Sequence, residues 1–80
     1  MSVRRRRPPS DDVLLQKVHT LAGDGFCPAS EVTVSLHDFE RRGVVKALKR
    51  AANRGLLLER HGPDGRRYVG LASEGWRLLS

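Results

Sequence analysis

One cysteine, one methionine, one tryptophan, one tyrosine and two phenylalanines leave this chain of 80 residues thin in both sulfur and aromatic bulk. A lone cysteine, Cys27, has no partner for a disulfide within the chain and suits a reducing compartment, so a cytoplasmic protein is expected. No apolar run approaches the roughly 18 residues that a membrane span needs. No apolar segment follows the first arginines either, so no secretory signal and no membrane association are expected. Patterns that carry chemistry are also scarce. The three histidines and Cys27 show no Cys-x-x-Cys or His-x-x-x-His spacing, and Cys27 with His37 makes a weak metal pair. No glycine-rich loop follows a strand, and no Ser/His/acid grouping stands out. Asp11 with Asp12 suits the start of a helix before it suits a carboxylate dyad. The chain is therefore expected not to be an enzyme and to need no metal, cofactor or small-molecule ligand.

Acid is scarce as well. Nine Asp and Glu stand against 15 Lys and Arg, a formal net charge of +6 with a pI near 10.7. That balance favours a polyanionic partner, nucleic acid first and an anionic membrane surface second. Arginine outnumbers lysine twelve to three, which suits phosphate recognition and would equally follow from a GC-rich genome.

The positive charge has a pattern in residues 40–58, ERRGVVKALKRAANRGLLL. Val44, Leu48, Ala51 and Ala52 recur at i, i+4, i+7 and i+8, one apolar stripe of a helix. Arg42, Lys46, Lys49, Arg50 and Asn53 fall on the other side, with Arg41 just before them. A solvated face usually alternates sign, yet no acid occurs between Arg41 and Arg54. The spacing predicts a helix over 39–54, capped by Asp38 and stopped by Gly55. Gly43 sits inside it at a cost of about 1 kcal/mol against alanine.

In chain order, residues 1–9 predict a disordered basic arm. Arg4, Arg5, Arg6 and Arg7 repel one another, and Pro8 and Pro9 block a helix. Such an arm tracks phosphates or merely aids solubility. Ser10 caps a helix over 11–22, with Leu14, Val18, Leu21 and Ala22 on its apolar stripe and Leu15 widening it. Residues 26–28 suit a short extended piece. Residues 29–37 predict a short helix capped by Ser30, although Val32, Val34 and Leu36 also alternate as a strand would. Strands over 56–61 and 66–71 flank the turn Gly62-Pro63-Asp64-Gly65. Arg60, His61, Arg66 and Arg67 gather around its tip. Ser73 caps a last short helix carrying Trp76, Leu78 and Leu79.

This order is an α+β plan with a three-helix core, a β-hairpin and a short C-terminal helix. It resembles the winged helix-turn-helix domain of bacterial transcription regulators, broadly of MarR, PadR or ArsR type. Lys46, Ala47, Leu48, Lys49, Arg50, Arg54, Gly55 and Leu56 resemble the end of a recognition helix opening into the first wing strand. Leu71, Ser73, Glu74, Gly75, Leu78 and Leu79 resemble the second wing strand entering the next helix. The segment before the basic helix departs from the usual "ELA…LGVS" pattern, and long dimerisation or sensing helices are missing. The resemblance covers residues 10–80 and implies a winged helix domain that binds double-stranded DNA. Arg41, Arg42, Lys46, Lys49, Arg50 and Asn53 would enter the major groove. Arg60, Arg66 and Arg67 on the wing would meet an adjacent minor groove or its phosphates, and Arg4 to Arg7 would add an arm. A small transcription regulator is the leading expectation. An excisionase-like accessory factor, a protein-interaction module and an RNA-associated protein are the alternatives. A homodimer through Trp76, Leu78 and Leu79 is the expected assembly.

Overall fold

Among the described residues, 7–79 of a computed structural model, the chain forms four helices and three strands. The expected arm falls mostly on residues 1–6, which lie outside the described residues. Its last part is not loose. Pro9 is fully buried, so the folded chain starts before residue 10.

Helix α1 (Asp11–Ala22) begins as its sequence dictates: the Ser10 hydroxyl accepts the Val13 N–H, and Asp11 and Asp12 lie in the first turn. Strand β1 (Phe26–Pro28) follows, then helix α2 (Ala29–Ser35). This helix is two residues shorter than expected, and Pro28 rather than Ser30 occupies its cap position. The Thr33 hydroxyl bonds back to the Ala29 carbonyl, which competes with helical order. Leu36 then leaves the helical region and turns into the core.

Helix α3 (Arg41–Asn53) starts two residues later than its spacing suggests, with Glu40 rather than Asp38 at the cap. The Phe39 N–H closes a turn on the Leu36 carbonyl, and the Phe39 ring packs on the core. That turn leaves Asp38 too early to cap the helix. The far end behaves as expected. Gly55 takes φ +77°, its N–H bonds the Ala52 carbonyl, and the Leu56 N–H reaches back to Ala51. This is the Schellman pattern, in which a left-handed glycine satisfies the last carbonyls.

Strands β2 (Leu57–His61) and β3 (Arg67–Leu71) form the expected hairpin. The extended piece expected at 26–28 is the third strand, but the sequence did not announce its partner: β1 pairs antiparallel with β3, giving the order β1-β3-β2. Helix α4 (Ser73–Leu79) closes the chain. Its first helical bond runs from the Trp76 N–H to the Ala72 carbonyl, one residue before the expected cap at Ser73.

The core lies between α1, α3 and one face of the sheet. Leu14, Leu15 and Val18 meet Val44, Leu48 and Ala51, with Cys27, Val69 and Leu71 closing the sheet side. Each fully buried Leu or Val contributes roughly 1.5–3 kcal/mol relative to exposure. Burial, and then the Glu31 carboxylate, hold the Cys27 thiol above its ordinary pKa. No helix among the described residues is long and apolar enough to cross a membrane.

Gly75 shows how closely α4 is seated. A Cβ there would overlap the Leu56 carbonyl oxygen. Alanine in a helix normally gains about 1 kcal/mol over glycine. Here Gly75→Ala is expected to lose about 1–3 kcal/mol instead, because the backbone in its way must move. Urea unfolding of the two proteins checks the sign.

Candidate functional site

The site is α3 and what flanks it. One side of the helix, Val44, Ala47, Leu48 and Ala51, is buried. The other presents Arg42, Lys46, Lys49 and Asn53, all exposed, in a row at i, i+4, i+7 and i+11. No carboxylate pairs with Arg41, Arg42, Lys46 or Lys49 among the described residues. By contrast, Arg50, Arg54, Arg66, Arg67 and Arg77 each have an acidic partner. The first turn of α3 contains no acid, so Arg41 and Arg42 sit at the positive end of the helix dipole.

The two flanks differ. On one, Arg41 and Val45 share a shallow groove with Ser30 and Thr33 of α2 and with Arg66 and Arg67 of the hairpin. Arg66 lies 3.6 Å from Asp64 and Arg67 lies 3.9 Å from Glu59. The first pair is exposed and the second half-buried, and both are long, so they contribute little and leave both guanidiniums available to another anion. On the other flank, Arg50 turns away from the row. Its Nη2 donates to the Pro9 carbonyl at 3.1 Å and to Asp11 at 3.3 Å, and Arg54 meets the same carboxylate at 2.6 Å.

Arg60 does not join Arg66 and Arg67. It pairs in register with Tyr68, on the sheet face opposite buried Val69. There its guanidinium lies 5.2 Å from the centre of the Phe26 ring. Of the expected arm, Arg7 is exposed, and Arg4, Arg5 and Arg6 lie outside the described residues.

Set against known proteins, the chain has no significant match among family models, curated proteins or solved structures. The site must therefore be read from its own geometry.

Sequence reasoning missed Ser30, Thr33 and Val45. The i, i+3 spacing of Ser30 and Thr33 signals one face of a helix, but only the packing of α2 beside α3 brings that face to Arg41. Among the described residues, no group of three or more His, Cys, Asp or Glu could hold a metal ion. The arrangement offers exposed guanidinium and ammonium groups, an amide and two hydroxyl-bearing residues. These suit phosphate oxygens and the edges of bases.

Proposed function

We propose that this chain binds double-stranded DNA as a winged helix-turn-helix protein, with α3 in the major groove and the hairpin serving as the wing. A small transcription regulator is the leading form, with a phage- or plasmid-type accessory factor as the same device in another setting. The observation that carries the reading is the row of Arg42, Lys46 and Lys49, with Arg41 beside it, exposed on one helix and without a carboxylate partner among the described residues. The element order and the sheet order β1-β3-β2 support it, because they set a hairpin beside the basic helix. Two arginines against the helix dipole support it further. They oppose stability by about 0.3–1 kcal/mol each and suit a helix end that receives an anion.

That opposition gives a test with two signs. Arg41→Gln with Arg42→Gln is expected to leave the melting temperature unchanged or slightly higher while duplex affinity falls. Parallel melting and binding titrations check it, and a loss of stability with no loss of binding would sink the reading. The broader experiment is selection of duplexes from a random pool. An enriched sequence supports specific recognition, and an enriched palindrome adds two-fold symmetry. Equal binding to duplex RNA would argue against α3 in the groove, since the A-form major groove is too narrow to admit it.

A homodimer through α4 accompanies this proposal. Leu78 is 55 % exposed, and Trp76 makes a T-shaped contact with His19 of α1 at 5.0 Å. Leu79 packs against the core instead, so the dimer surface would be built from Trp76, Leu78 and the adjoining side of α1.

A further inference from the structure

We infer that the outer face of the sheet is a platform for single-stranded nucleic acid, with two neighbouring bases stacked on Phe26 and Tyr68 and a phosphate held by Arg60. This site goes beyond the duplex reading and does not use α3. Side chains alternate along each strand. Cys27, Leu57, Val69 and Leu71 belong to the core, so their neighbours in the strands point outward. Strand register sets those neighbours in two rows: Phe26, Gly70 and Leu58, then Pro28, Tyr68 and Arg60. Neither row holds an acid. Asp64, in the turn, meets the face only at its end, where the Tyr68 hydroxyl donates to it at 3.4 Å. Phe26 and Leu58 are both exposed, with only Gly70 between them. Adjoining apolar exposure of this kind marks a contact surface.

The details choose the occupant. Each ring rests against a glycine. A Cβ at Gly62 would overlap the Tyr68 ring, and one at Gly70 would overlap the Gly25 carbonyl oxygen and press on the Phe26 ring. The face of Phe26 is open to a planar group, because the Arg60 guanidinium already lies over it, 5.2 Å from the ring centre. Arg60 has no carboxylate partner among the described residues. An exposed ring holds a guanidinium weakly. Arg60 therefore swings to a phosphate as a base takes its place on the ring. Phe26 and Tyr68 are diagonal neighbours on paired strands, about 7–8 Å apart. That is about twice the 3.4 Å step along one strand of a duplex, so the rings suit consecutive bases of an extended strand. Paired bases within a duplex offer no free face, and single strands do. Single-stranded DNA and RNA share this chemistry.

The test is fluorescence anisotropy with the full chain at fixed salt. The probes are an oligothymidylate, an oligouridylate and an abasic strand of the same length. Phe26→Leu keeps apolar bulk on the strand and removes the π-face. It is expected to weaken binding of the base-bearing strands by about 5- to 100-fold and to leave duplex affinity unchanged. Tyr68→Phe should bind as the parent does, and Tyr68→Leu should lose as much as Phe26→Leu. Arg60→Gln should lower the salt slope by about 0.7, one phosphate of a single strand. A response by only one of the two base-bearing probes assigns the platform to that sugar. A parent chain that binds the abasic strand as tightly as the others overturns the inference, and this comparison needs no variant to fold. Unchanged strand affinity in folded Phe26→Leu overturns it too. If that variant instead breaks a dimer in sedimentation and still binds strands, the face belongs to a second copy and the inference falls. Absence of duplex binding beside a Phe26-dependent strand complex would strike the α3 reading alone.

Discussion

Replacing Arg42, Lys46 and Lys49 together by glutamine is expected to lower duplex affinity by roughly 10²–10³ at 0.1 M salt. The magnitude follows from counter-ion release. Each phosphate neutralised contributes about 0.9 to the salt slope, close to tenfold per contact at that concentration. The slope itself should fall by about 3. Glutamine keeps the helix propensity and much of the stem, so the fold should hold to within about 0.5 kcal/mol. Arg54→Gln is the control. It removes a charge from the same end of the chain's basic surface, but that charge already meets Asp11 on the flank. Its effect on binding should stay below about threefold. Fluorescence anisotropy over a salt series measures both quantities. An equal loss per charge removed, with Arg54→Gln costing a third of the triple replacement's loss in log affinity, would mean that only net charge matters, and the assignment of the row would fall.

The second large effect concerns stability. Leu48 is 1 % exposed and lies where α3 meets the core, directly behind the cationic row. Leu48→Ala is expected to cost about 2–5 kcal/mol through lost burial and the cavity left behind. A domain of this length commands only about 4–12 kcal/mol in total. The variant should therefore melt many degrees lower, at roughly 4–8 °C per kcal/mol. Calorimetry checks it. A loss under about 1 kcal/mol would mean that α3 is not anchored through this residue. Any fall in binding should vanish at temperatures where the variant is folded, which separates a core defect from a lost contact.

Local chemistry was legible, and long-range packing was not. Ser10, Asp11 and Asp12 announce α1 because a cap and a dipole act within one turn. Gly55 announces the end of α3 for the same reason. The start of α3 was misread because Asp38 is an ordinary capping residue by type. Only the seating of Phe39 on the core shows that the chain is still turning there. The pairing of Phe26 with Gly70 joins residues far apart in sequence, and no spacing rule points from one to the other. The site divides along the same line. Exposure of Arg42, Lys46, Lys49 and Asn53 follows from helical periodicity. The turning of Arg50 toward Asp11 and Pro9 depends on how α1 crosses α3, and so does the separation of Arg60 from Arg66 and Arg67 on strand register.

The pair of backbone bonds at Gly55 has a mechanical consequence. With the Gly55 and Leu56 amides tied to the final turn of α3, the helix and the hairpin that follows share one stiff joint. Under the proposed function, α3 and the hairpin would meet DNA with a fixed gauge that cannot spread or narrow to suit its track. Where the distance between neighbouring grooves did not match, the double helix would have to bend or twist instead, and sequences that deform easily would be favoured at positions no side chain touches.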